Sequence, residues 1–285
     1  SLYDLMTVAY PGEQIMLREH FRCVEPIIRF SMRFYTKPML PMRVPRPSER
    51  LDPPLLDILV PHGRRAAGKN AKTNRAEAEV IVREIARMVE DPAFAERKIG
   101  VISLIGATQA QLVQRMLLET IGEAAFQRHR ITCGDAATFQ GNEADVVFLS
   151  MVADPQSVRA VTGTMFQQRY NVALSRARDR MVLVRSVPDN LLTNPNDLKA
   201  QTVQHFRDPM AGADDGADDL AERCQSGFER DGYARLRADG YRVTPQVPAA
   251  GYAIDLVVEG DNDARLAIEL DGDKYHGPEQ WWDDF

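Results

Sequence analysis

The sequence predicts an α/β protein: a covered, largely parallel sheet, then a second and smaller α/β unit. Three observations predict it. The runs "LLDILV", "IGVISLI" and "ADVVFLSMV" are mostly apolar rather than alternating, as strands buried on both faces are. Amphipathic helical segments separate them, so strand and helix alternate along the chain. After about residue 205 the composition shifts to "RDPMAGADDGADDLAER", rich in Asp, Gly and Ala with no apolar period, which reads as an acidic linker.

Each element has its own warrant. Residues 13–35 read as a helix broken near "HFRC", and the prolines of "MRVPRPSERLDPP" make it loop. "LLDILV" is a strand. Asn74 followed by Glu77 marks a helix start, and Val80, Ile81, Ile85, Met88 and Val89 form its apolar face. "IGVISLI" (99–105) is a strand and "TQAQLVQRMLLETIG" (108–122) a helix. "ITCGDA" and "ADVVFLSMV" are strands, "QRYNVALSRAR" a helix carrying Arg176 and Arg178, and "MVLVRSV" a strand. Beyond the linker come helix "GFERDGYARLRADG", loop "YRVTPQVPAAG", strand "YAIDLVVEG", turn "DNDA" and strand "RLAIELDG".

The 285 residues suffice for two domains. The net charge of -6 lacks the basic balance of many nucleic-acid binders, although a local basic stripe can sit on an acidic protein. Three scattered cysteines form neither a disulfide framework nor a zinc pattern. With no signal peptide and no run of 18 apolar residues, a soluble cytoplasmic protein without a membrane partner is expected. The chain starts without Met and stops at "WWDDF" in mid-pattern, so a fragment of a longer protein is expected.

"HGRRAAGKN" contains G-x-x-x-x-G-K, most of a phosphate-binding loop. Three features argue against that role. Asn70 stands where a magnesium-binding hydroxyl belongs, the helix cap falls later at Asn74, and Pro61 interrupts the strand's run into the loop. A solvated basic loop is the better reading. An independent NTPase using this loop would need Lys69.

"QQRYNVALSRARDRMVLV" (167–184) resembles motif VI of superfamily 1 helicases, in the Upf and Dna-type 5′-to-3′ branch. The resemblance makes Arg176 an arginine finger, a rigid and permanently charged fork suited to a γ-phosphate in transfer. "ITCGDAATFQGNEADVVFLSMV" resembles motif V. That implies Glu143 on the ribose of ATP, with Thr138 and the backbone near Gly141 beside a nucleic-acid strand. "IGVISLIGATQAQLV" resembles motif IV, with "SLI" for the common "TPY" and Gln109 as its polar residue to follow. "MLREHFRCVEPIIRFSMRFY" is similar to "QYRMHPxIxxFxxxxFY", which puts Phe21 on adenine and makes Arg22 a second γ-phosphate arginine. The four stretches cover about residues 15–187 in family order. They correspond to the second RecA-like domain. The ATP-binding first domain would lie on missing N-terminal polypeptide, and this chain alone is expected not to hydrolyse ATP.

In the C-terminal unit, Asp255 lies on one strand, and Glu269 and Asp271, two residues apart, share a face of the next. Three gathered carboxylates suit a hard cation and repel one another without it; spacing alone equally fits two edge strands with exposed acids. The string resembles the PD-(D/E)xK nucleases, in the very-short-patch-repair-like branch. That resemblance implies Asp255, Glu269 and Asp271 around Mg2+ or Mn2+, with Asp271 where the name-giving motif has Lys. Glu229 matches a helix glutamate of the group, and Gln246 and His276 sit at polar site positions. Together the resemblances imply a RecA-like parallel-sheet domain (1–204), an acidic linker (205–222) and a restriction-endonuclease-like α/β domain (223–285) cut short. The implied protein is a helicase–nuclease acting on DNA or RNA. The alternative is a nuclease-like domain that is a dead DNA-binding or docking module.

Overall fold

In the computed structural model the described residues are 6, 9–10, 17, 19–37, 39–43, 45–68, 72–156, 158–211, 220–249, 252–260 and 264–270. The chain forms two compact units, Ser1–Arg43 with Leu51–Met210, and Val44–Arg50 with Ala211–Phe285. In chain order the first carries β1 (Glu19–His20), α1 (Glu25–Met32), β2 (Leu40–Pro41), β3 (Leu55–Leu59), α2 (Arg75–Glu90), β4 (Ile99–Ser103) and α3 (Ala107–Arg128). It continues with β5 (Thr132–Asp135), β6 (Ala144–Ser150), α4 (Thr164–Ala173), β7 (Ala177–Arg185) and α5 (Leu198–Arg207).

Side-chain alternation along the strands explains the layers. The sheet order is β3-β7-β6-β4-β5, and every neighbouring pair is parallel. On β6, Val147 and Leu149 enter one apolar core while Val146 and Phe148 enter the other; on β7, Met181 and Leu183 oppose Val182 and Val184 in the same way. α1, α4 and α5 cover the first face through Ile27, Phe30, Tyr170, Val203 and Phe206. α2 and α3 cover the second through Ile81, Ile85, Val113 and Leu117. Full burial on both faces is why these strands read as continuous apolar runs. The buried Arg185 joins the sheet's edge by a bidentate pair with Asp57, both bonds at 2.7 Å.

Three sequence expectations change. Residues 13–35 are not one broken helix: Glu19–His20 pair in parallel with Leu40–Pro41, and the helix begins after Val24, with Pro26 in its first turn. "QRYNVALSRAR" is helical only to Ala173; Arg176 lies in the following turn and Arg178 already belongs to β7. Residues 205–207, assigned to the linker by composition, are the last turn of α5, where His205 and Phe206 are buried.

The second unit carries α6 (Gly227–Ala238), β8 (Arg242–Ala249), β9 (Tyr252–Glu259) and β10 (Arg265–Ile268). Its antiparallel sheet has the order β10-β9-β8. The stretch "YRVTPQVPAAG", read as loop from its prolines, is therefore mostly strand. Among the described residues β8 pairs on one side only, where proline is tolerated, and Val243, Pro245 and Val247 alternate inward. Tyr233 of α6 packs with Cys224, Val243, Leu256 and Val258 in a small separate core.

Candidate functional site

Four of the residues singled out by sequence meet where β6 and β7 begin. The Val24 N–H donates to the Arg178 carbonyl at 2.9 Å, which draws the segment before α1 alongside β7. Arg22 Nε then donates to Glu143 Oε2 at 2.7 Å, and its Nη1 to the Ser175 carbonyl at 3.2 Å. Arg176 Nε donates to the Val172 carbonyl at 3.0 Å, which also accepts the Ser175 N–H and hydroxyl at the end of α4. Phe21 is 63% exposed, in a cavity of about 410 Å³ lined also by Glu19, His20, Arg22, Glu143 and Arg178.

The charge of this cluster is fixed. His20 Nε2 accepts the Cys23 N–H at 3.1 Å, which requires a neutral ring. Burial, then Arg22 and Arg176, push the His20 pKa down to about 4. Burial pushes the Cys23 thiol up to about 12, so it is an inert core group. Burial and the neighbouring Arg22 lower the Arg176 pKa, yet a guanidinium remains charged. The cluster is thus cation-rich, with Glu143 as the carboxylate bonded into it. His20, Ser175 and the cavity-lining place of Arg178 were not foreseen; adjacency to Phe21–Arg22 was the only sequence signal for His20.

Thr138 and Gly141 lie on the exposed stretch that leads from β5 to Glu143. Thr138 Oγ1 donates to Asp135 Oδ1 at 3.1 Å, and Gly141 has φ +85°. Beside this stretch a cavity of about 480 Å³ opens at the ends of β4 and β5, lined by Ser103, Gly106, Asp135, Gln140, Lys72 and Arg169. Gln109 has a structural place instead. It is fully buried, accepts the Asn74 N–H at 2.8 Å, and donates to the Asn74 carbonyl and to Ser150 Oγ.

The glycines of "HGRRAAGKN" are explained by packing at one and by backbone conformation at the other. A Cβ on Gly63 would stand 2.0 Å from Ser186 Oγ, and Gly68 turns the chain at φ +64°. The helix starts after Asn74, which caps the Glu77 N–H. Lys69 and Asn70 lie outside the described residues.

In the second unit, Gln246 Nε2 donates to Glu229 Oε2 at 2.9 Å and to Asp255 Oδ1 at 3.1 Å. Glu229 Oε2 also accepts the Gln225 N–H at 2.7 Å, and Asp255 Oδ2 accepts the Leu270 N–H at 2.8 Å. The β9–β10 register, carried one step past Ile268↔Leu256, places Glu269 opposite Asp255. Glu269 is exposed, whereas Glu229 is buried. Asp271 and His276 lie outside the described residues. Among the described residues no three His, Cys, Asp or Glu side chains stand together as a metal-binding group. The carboxylate that joins Asp255 in the described cluster is Glu229, matched from sequence to a helix glutamate of the nuclease group rather than placed in the ligand set. Gln225 was missed, because nothing in its neighbourhood marks it.

The AAA domain family AAA_12 matches residues 1–187, most of the chain. The chain belongs to this family. Its AAA domain is of the superfamily 1 helicase type, and the five-stranded parallel sheet is its RecA-like core. The family REase_MTES_1575 matches residues 228–285 and makes the C-terminal unit restriction-endonuclease-like. Among solved structures, the AAA domain protein is similar to the C-terminal domain of a possible DNA helicase from Lactobacillus plantarum WCFS1. Identity is 13%, over 61% of this chain and 92% of that one, with a TM-score of 0.36. No curated protein matches. No helix among the described residues is long and apolar enough to cross a membrane.

Proposed function

We propose that this chain is the C-terminal part of an ATP-dependent helicase that also cuts DNA at a divalent-metal site. The supporting observation for the motor is the convergence of Arg22, Glu143 and Arg176 beside the exposed Phe21 ring. In this reading Phe21 stacks on adenine and Glu143 binds the ribose. Arg22 and Arg176 meet the γ-phosphate of ATP held by a first RecA-like domain, which this chain alone does not supply. The Arg22–Glu143 bond then opens, and each partner exchanges a protein group for a nucleotide group. Thr138 and the backbone at Gly141 contact the nucleic-acid strand, DNA in the first instance. They lie on the same stretch of chain as Glu143, so strand and nucleotide are read by one loop.

The second unit's donors fit a divalent cation. Asp255 Oδ1 and Glu229 Oε2 both face one nitrogen, at 3.1 and 2.9 Å, and hard cations take such oxygens at about 2.0–2.6 Å. Asp255, Glu229 and Glu269, with Asp271, would hold Mg2+ or Mn2+. The ion supplies an activated water and charge neutralisation at a phosphodiester. Asp255, through Leu270 N–H, fixes the peptide that carries Glu269, and His276 is assigned to positioning water. The competing reading, a docking module that does not cut, draws on Asp271 standing where the name-giving motif has Lys.

The test of the motor uses the protein with both RecA-like domains. Arg176→Ala is expected to lower DNA-stimulated ATP turnover by about a thousand-fold or more, with nucleic-acid binding retained. Turnover within twofold of wild type would remove Arg176 from the reaction.

A further inference from the structure

Gln246 is the strained residue of the second unit. Its φ is +50°, a region that residues with a side chain adopt rarely and that concentrates at functional positions. The β8–β9 pairing breaks at this residue and resumes in the same register, Pro245↔Leu256 before it and Val247↔Ile254 after, which leaves Gln246 opposite Asp255. The broken ladder places the amide nitrogen between the Glu229 and Asp255 carboxylates.

The direction of that amide follows from chemistry. Ionised carboxylates only accept hydrogen bonds, so Gln246 must turn its NH2 towards them. Its Oε1 is then left for Gln225, whose Nε2 donates to it at 2.9 Å. The two oxygens engaged by the amide are those that converge for a cation. Amide and cation therefore compete for one place.

We propose that Gln246 is a built-in stand-in for the metal: its NH2 group holds the Glu229 and Asp255 carboxylates together without the ion and is displaced when the ion binds. Gln225 sets which end of the amide faces the site. Gln246 is thus a positioning residue that limits metal affinity. This rests on the reading of Asp255 and Glu229 as cation ligands.

The test is Mn2+ binding to the 285-residue chain, followed by calorimetry and by the electron paramagnetic resonance of free Mn2+. Gln246→Met removes both donors at nearly constant size. Mn2+ is expected to bind about tenfold more tightly, because the metal-free carboxylates lose charge-assisted bonds that the ion otherwise has to break. Unchanged or weaker binding by a folded variant would overturn the proposal, weaker binding marking Gln246 as a ligand. Gln225→Leu keeps Gln246 but frees its orientation, and is expected to tighten binding by a smaller factor, about threefold. If circular dichroism shows Gln246→Met unfolded, Gln225→Leu decides, and unchanged affinity there counts against the proposal. Asp255→Asn separates the two ideas. Wild-type Mn2+ binding that survives it would sink the cation site itself, whatever the Gln246 variants do.

Discussion

The two candidate sites are opposite in charge and alike in design. In the AAA domain, arginines 22 and 176 crowd together and the Glu143 carboxylate is bonded into them. In the C-terminal unit, carboxylates 229 and 255 crowd together and the Gln246 amide is bonded between them. Each cluster would repel itself without its internal partner. Each partner is also of the kind that a ligand can replace: a carboxylate by phosphate oxygens, an amide NH2 by a cation. In the proposed function the sign of the crowded charge sets the ligand, an anion in one unit and a metal ion in the other.

Glu77 sharpens the contrast, because it is crowded by donors and open to no ligand. It is fully buried and accepts from Asn74 Nδ2, Ser186 Oγ, Ser150 Oγ and the Val152 N–H at 2.7–3.2 Å. Burial pushes its pKa up to about 7, against the pull of those hydrogen bonds. A raised carboxyl pKa means that the folded state holds the proton more tightly than the unfolded one. Its contribution to stability is present below the unfolded-state value and lost as pH rises through about 7. Glu77→Gln cannot titrate, so it should gain on the wild type by about 3 kcal/mol between about pH 5 and pH 8. Parallel denaturant curves at several pH values check this, and a constant difference would show that Glu77 does not titrate there.

The smallest effect belongs to the Arg22–Glu143 pair. Both side chains are partly exposed, at 30% and 41%, and such pairs contribute about 1 kcal/mol or less. Glu143→Ala should therefore leave the thermal unfolding of the chain almost unchanged. A loss above about 2 kcal/mol would make Glu143 a structural brace, and the symmetry between the two sites would fail.

Much of the sheet and part of each site were legible in the sequence. Strands buried on both faces cannot hide, because Val146 to Leu149 must satisfy two cores at once. The Asn74–Glu77 cap was legible because its geometry is local. The end of α4 was not. "ALSRAR" has good helix formers, and what stops the helix is tertiary: Ala177 pairs with Ala144 and draws the chain into β7. β8 was hidden by Pro245 and Pro248, which mimic a loop unless the strand is known to pair on one side only, as it does among the described residues. Asp255 was marked by its strand pattern, and Glu229 by the resemblance to the nuclease group. That one amide joins them depends on a backbone turn at Gln246 that no side-chain pattern encodes.

In the proposed function one polypeptide carries an ATP-facing site and a separate metal-dependent cutting site. The most direct measurement is Mg2+-dependent DNA cleavage and ATP turnover, assayed side by side on a protein that joins this chain to the first RecA-like domain proposed for it. Asp255→Ala should abolish cleavage and leave ATP turnover intact. Cleavage that continues unchanged in Asp255→Ala would remove this site from the reaction.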